Sequence, residues 1–173
     1  MKRVVIIVAQ NFQDEEFVYP YYRILEEGWR IDVATPTGED MLGKYGVPAR
    51  ATMSTKDLKA SDFDCVILPG GFESPDRLRI RKEVLGFVKD MDKAGKWVAA
   101  ICHGPWILIS AGVVKGRKVT GYMSIADDLK NAGANYTEQD LVIDGNLISA
   151  PHYRNNGEFM KAVVGALKGR AGG

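Results

Sequence analysis

Cysteine is scarce in this chain. Cys65 and Cys102 stand alone among 173 residues, far apart and in unrelated contexts. That excludes a disulfide framework and a four-cysteine zinc site. Histidine is as sparse, with only His103 and His152, so metal ligands are few and neither a metal nor a cofactor is expected. No charge of one sign prevails, since 23 Lys and Arg face 22 Asp and Glu for a net +1. A chain so balanced offers no basic footprint to nucleic acid or to an anionic membrane. No apolar run approaches the roughly 18 residues of a membrane span. The apolar opening at residues 4–9 is too short for a signal-peptide core with its cleavage site and suits a buried strand. The expectation is a cytoplasmic protein. Repeats, low-complexity segments and linkers are absent too, so residues 1–173 read as one domain with a frayed tail at 169–173.

What is present is ordinary for a soluble globular protein: 46% apolar and 26% charged residues. Strand-like and helix-like stretches alternate. Residues 3–9 form a continuous apolar run, as a strand buried on both faces requires. Phe17, Val18, Tyr21, Tyr22 and Leu25 fall at helical spacing within residues 15–27, and Gly28 ends that helix. Pro20 cannot donate to the carbonyl of Glu16, which predicts a kink or a late start. Residues 29–35 read as a second strand, 39–55 as a small hairpin with loops, and 64–68 as a third strand closed by Pro69-Gly70-Gly71. Val84, Phe87, Val88 and Met91 mark a helix face. Residues 97–101 form a fourth strand, 119–121 a short fifth, and 125–131 a helix. Asp144-Gly145-Asn146 is a hairpin-type turn between Leu141-Val142-Ile143 and Leu147-Ile148-Ser149. Phe159, Val163, Val164 and Leu167 give the last helix face. Such alternation predicts a mostly parallel sheet with helices on both faces, and a site beyond the carboxyl ends of its strands.

The most informative stretch is residues 96–108. An apolar strand runs into Cys102-His103-Gly104-Pro105, and Pro105 suits the first turn of a helix. This is the arrangement of a nucleophile elbow, in which a reactive side chain stands on a sharp turn above a sheet. A sulfur among unpaired helix N–H groups is favoured as thiolate, its nucleophilic form. Cys65 lies inside a strand and reads as inert filler. Gly70 and Gly71, after another buried strand, allow backbone to approach the site. The N–H groups of Gly71 and His103 then become candidates to hold a developing oxyanion.

Four segments, Ala100-Ile101-Cys102-His103-Gly104-Pro105, Leu68-Pro69-Gly70-Gly71, residues 112–118 and Tyr19-Pro20-Tyr21, closely resemble the PfpI intracellular-protease family. That family lies in the superfamily of the parkinsonism-associated protein deglycase, which has a class I glutamine amidotransferase-like fold. The resemblance spans nearly the whole chain. It implies a flavodoxin-like three-layer α/β/α sandwich, a cysteine nucleophile and a homo-oligomer, a dimer or a hexamer. Activities it implies are peptidase, glutathione-independent glyoxalase and protein deglycase, within a stress response. Substrates would be a small aldehyde, a glycated protein or a peptide.

By the same resemblance Glu16 is a buried acid beside the cysteine. Two ionised acids in contact repel, so Glu16 is expected to hold a proton and donate it toward the thiolate. His103 would be a general base. Asp76 would reach the histidine of a neighbouring subunit, with the shorter Asp in place of Glu. Tyr122 would contact substrate. Gln13 and Ala150-Pro151 depart from the family pattern and change the polarity of the entrance. A small-aldehyde enzyme is the leading expectation. A cysteine peptidase and a non-catalytic redox sensor or chaperone are the alternatives.

Overall fold

The structure, a computed structural model, describes residues 1–169. The strands in chain order are β1 (Arg3–Ile7), β2 (Arg30–Thr35), β3 (Met41–Leu42), β4 (Pro48–Ala49), β5 (Met53–Ser54), β6 (Cys65–Leu68), β7 (Trp97–Ile101), β8 (Lys118–Val119), β9 (Asn135–Tyr136), β10 (Val142–Asp144) and β11 (Leu147–Ala150). The helices are α1 (Asp14–Glu26), α2 (Ser74–Leu78), α3 (Lys82–Lys93), α4 (Pro105–Ala111), α5 (Ala126–Asn131) and α6 (Asn156–Leu167). One sheet of seven strands runs β10-β11-β7-β6-β1-β2-β5. Every neighbouring pair in it is parallel except β10 and β11, the hairpin that the Asp-Gly-Asn turn predicts.

The two-residue period of a strand explains the layers. Val5 and Ile7 of β1, Val66 and Leu68 of β6, and Val98 and Ala100 of β7 point to one side, where α3, α4 and α5 cover them. Val4, Ile6, Cys65, Ile67, Ala99 and Ile101 point to the other, beneath α1 and α6. Both faces are buried, which is why these strands read as unbroken apolar runs. The result is the expected α/β architecture, a mostly parallel central sheet with flanking helices.

Several details differ from the sequence expectation. α1 does not start late but at Asp14, and it continues through Pro20, with Phe17, Pro20 and Ile24 buried so that packing outweighs the lost hydrogen bond. The short strand expected at 119–121 is Lys118–Val119 and pairs with β9 in a separate two-stranded ribbon. Five-residue α2 was not foreseen. It is anchored where the hydroxyl of Ser74, wholly buried, accepts from the N–H of Ala9 at 2.9 Å. Residues 170–173 of the expected frayed tail lie outside the described residues. No helix among the described residues is long and apolar enough to cross a membrane.

Away from the site, Asp32 on β2 is buried and carries charge. Burial pushes its carboxyl up, but hydrogen bonds and attraction from Arg3, at 2.7 Å, and Arg30, at 3.2 Å, win and hold it below its usual value. A depressed native pKa contributes stability above the unfolded carboxylate pKa and loses it as pH falls through the native value. Asp32→Asn is therefore expected to lower stability at neutral pH and to flatten its acid limb. Urea midpoints at pH 7 and in the acid range check this, and an unchanged acid limb would speak against it.

Candidate active site

The order of winding reverses at β1, with β2 added on one flank and β6 on the other. Such a switch point opens a crevice at the carboxyl ends of the strands. Cys102 stands at that end, immediately after β7. Its backbone is left-handed, with φ of 63°. A non-glycine residue held there costs about 1–3 kcal/mol. Neighbours impose the conformation: the N–H of Cys102 donates to the Ala150 carbonyl at 3.0 Å, and the Tyr122 N–H donates to the Cys102 carbonyl at 2.9 Å. The side chain is nearly enclosed, with 8% of the residue exposed.

Glu16, from the first turn of α1, is fully buried. Its Oε2 accepts from the N–H of Gly70 at 2.7 Å. Its Oε1 is buried with no hydrogen-bond donor among the described residues. Burial raises this carboxyl to about 8, against smaller opposing contributions from the Gly70 amide and from Cys102 beside it. Cys102 is also pushed up, first by burial and then by Glu16 beside it; the amides of His103 and Gly71 act in the opposite sense.

The amides that favour an anionic sulfur do not belong to the body of α4. α4 begins only at Pro105, a turn beyond Cys102. The supporting N–H groups belong to His103 and Gly71, the two read from sequence as an oxyanion pair. Gly71 has φ of 106° and closes a bridge to Phe12, so its amide turns inward. Gly70 has another constraint. A Cβ there would lie 2.8 Å from Cys102 Cβ, from Glu16 Oε2 and from the His103 nitrogen. Gly70→Ala is expected to destabilise the fold by about 1–3 kcal/mol through overpacking and to slow any Cys102 reaction far more. Thermal unfolding and alkylation of Cys102 check this, and an alanine variant with normal thiol reactivity would refute the packing described.

His103 is oriented at both nitrogens. Nδ1 lies 3.3 Å from Cys102 Sγ, and Nε2 lies 3.2 Å from Ser124 Oγ. Its ring stacks on half-buried Tyr122, centroids 5.1 Å apart, and meets the Trp106 ring edge-on at 5.2 Å. Burial, and secondarily the charge of Lys44, hold its pKa below the usual imidazole value. Asp76 lies in the first turn of α2 and is exposed. Among the described residues it makes no hydrogen bond to His103, whose outer nitrogen faces Ser124 instead. Cys65 is wholly buried inside β6, and burial pushes its thiol far up. Gln13 is buried and its side chain donates to Glu15 at 2.5 Å.

Two neighbours were not read from sequence. Ser124 lies in a single 3-10 turn, Met123–Ile125, too short for any periodicity to single it out. Lys44 extends from the β3–β4 hairpin, its Nζ 5.9 Å from the Phe72 ring next to Gly71. Asp14 fixes that hairpin by accepting from the N–H groups of Tyr45 and Val47, each at 2.9 Å. Among the described residues no cluster of three His, Cys, Asp or Glu side chains could hold a metal.

A left-handed cysteine above a parallel sheet, with an acid and an imidazole against it, defines a cysteine-elbow α/β protein. The chain belongs to the DJ-1/PfpI family, whose sequence profile matches residues 2–166. It is 38% identical to the deglycase PfpI of Pyrococcus furiosus over 166 residues, 96% of this chain and 99% of that protein. It is 37% identical over 150 residues to YraA of Bacillus subtilis, whose name assigns it provisionally to the cysteine proteases; the match covers 86% of this chain and 88% of that one. A solved two-domain protein of Anabaena variabilis, with DJ-1/ThiJ/PfpI-like and ferritin-like domains, superposes with a TM-score of 0.95 at 35% identity, covering 97% of this chain and 48% of that one. Relatives named as deglycases and as a cysteine protease point to enzymatic activity.

Proposed function

We propose that this chain is a cysteine-dependent enzyme of small reactive aldehydes and of their protein adducts, a glutathione-independent glyoxalase or deglycase. The observation that carries the reading is Glu16: buried, bound by one amide at Oε2, and without a donor at Oε1. A proton on the carboxyl removes the charge from that unpartnered oxygen and gives Glu16 a hydrogen to offer the neighbouring Cys102. Two acids in contact cannot both ionise cheaply. With the proton on Glu16, the charge that opposes ionisation of Cys102 disappears and the hydrogen bond turns in favour of thiolate. Burial then remains against it, opposed by the donor on Glu16 and by the His103 and Gly71 amides.

In this reading the Cys102 sulfur bonds to the aldehyde carbon of methylglyoxal. The carbonyl electron pair moves to oxygen, which takes the Glu16 proton and leaves a hemithioacetal. Glu16, now a carboxylate, removes the proton from that carbon. Return of a proton at the neighbouring carbon gives a thioester of a hydroxy acid. Water cleaves the thioester, releasing lactate and restoring the sulfur. Early glycation adducts on Cys, Lys or Arg present a related carbon, from which the protein side chain departs. The Gly71 and His103 amides hold the developing oxyanion, and Tyr122 borders the substrate. No step needs a metal or cofactor, and the setting is a cytoplasmic stress response.

Peptidase activity is the second reading, favoured by the 3.3 Å approach of Cys102 and His103 and by the similarity to YraA. It would use Asp76 of a neighbouring copy in a homo-oligomer to orient the imidazole, for which the exposed position of Asp76 leaves room. Assays of the purified protein on methylglyoxal, on a fluorogenic peptide and on an aggregating client separate the cases. Lactate formation is expected. Peptide cleavage without it favours the peptidase, and client protection without turnover favours a sensor or chaperone. Loss of peptide cleavage on dilution to monomer would fit a subunit-shared site.

A further inference from the structure

His103 is held by more than its neighbour Cys102. The loop carrying Ser124 is tied to the elbow itself, because the Tyr122 N–H donates to the carbonyl of Cys102 at 2.9 Å and the Ile125 N–H closes the turn on Tyr122 at 2.9 Å. Ile125 is fully buried beneath it. Ser124 Oγ is thereby set 3.2 Å from His103 Nε2, while Nδ1 stays 3.3 Å from the sulfur. Stacking on Tyr122 and edge contact with Trp106 block rotation of the ring out of that line.

The donor and acceptor inventory then fixes the proton. A thiolate only accepts, so a hydrogen bond at Nδ1 requires Nδ1–H. A neutral imidazole with its proton there has a bare Nε2, which requires a donor, and a serine hydroxyl can be one. We infer that Ser124 is a positioning residue that donates to Nε2 and locks His103 in the neutral Nδ1–H tautomer, so that the imidazole itself donates to the Cys102 thiolate. The sulfur then receives hydrogen bonds from Glu16 and His103 with no imidazolium beside it. This rests on the thiolate reading above and adds to it the residue that sets the histidine. The low pKa direction of His103, from burial and then Lys44, agrees with a neutral ring.

The chain supplies an internal control. His152 accepts at Nδ1 from the Arg154 N–H at 3.2 Å, so its neutral form carries the proton at Nε2. Two-bond ¹H–¹⁵N correlation spectra of the whole protein near pH 7 should show two histidines in opposite tautomers, assigned with a His152→Gln variant. Ultraviolet thiolate absorbance is measured on the same samples. Ser124→Ala should shift His103 away from Nδ1–H and slow iodoacetamide alkylation of Cys102 by about tenfold, the loss of one hydrogen bond to a charged group. Ser124→Thr, which keeps the hydroxyl, should restore both. His103 as Nε2–H or doubly protonated, with thiolate present, overturns the role of Ser124 alone. So does a Ser124→Ala spectrum identical to wild type. Absence of thiolate absorbance overturns the charge distribution of the site and this inference with it.

Discussion

Cys102→Ser is expected to lower methylglyoxal turnover at least about a thousandfold, with the fold intact. Loss of an activated nucleophile has effects of that size or larger in other enzymes. The reason lies in acidity. A serine hydroxyl in the same enclosed place has no neighbouring base strong enough to ionise it. Protonated Glu16 is a donor there, and His103 is held below the ordinary imidazole value. Oxygen fits the left-handed position as well as sulfur does, so the melting temperature should hardly move. Lactate formation and thermal unfolding, measured together, separate chemistry from folding. A serine variant that retains a tenth of wild-type turnover would remove Cys102 from the reaction.

Glu16→Gln should reduce kcat by about a hundredfold to ten-thousandfold, the usual worth of a positioned general acid or base. The carboxamide keeps the shape and can donate through its NH₂ group, but it has no proton to give up. The thiolate should therefore survive while turnover falls, a split that a steric defect would not produce. The pH dependence has a defined sign. A general acid works in its protonated form, which Glu16 holds below about 8. Wild-type kcat is expected to decline as pH rises through about 8, and the glutamine variant should lack that alkaline limb. A glutamine variant with the same limb as wild type would assign it to another group.

Much of the frame was legible because burial on both faces writes itself into sequence. β1, β6 and β7 are continuous apolar runs, and their ends are marked by Pro69-Gly70-Gly71 and by Cys102-His103-Gly104-Pro105. The elbow residues are neighbours in the chain, so their proximity needs no tertiary knowledge. Glu16 was found by resemblance; an acid in the first turn of a helix is otherwise commonplace. Full burial of Glu16 follows from the packing of α1 against the sheet, which a periodic pattern only outlines. Ser124 and Lys44 escaped notice because loops bring them in. Their positions depend on the Tyr122 amide finding the Cys102 carbonyl, and on Asp14 gathering the amides of Tyr45 and Val47. Long-range hydrogen bonds of this kind leave no periodic trace. The passage of α1 through Pro20 has the same origin, since tertiary burial overrode a local rule.

The pairing of a neutral carboxyl with an anionic sulfur is tested most directly by the rate of Cys102 alkylation against pH in the wild-type protein and in Glu16→Leu. Cys65 is wholly buried and should not react. The wild-type rate should reach its plateau below the pKa of an ordinary thiol, and the leucine variant should need a distinctly higher pH. Superimposable titrations, or a wild-type thiol that ionises only in strong alkali, would contradict the pairing.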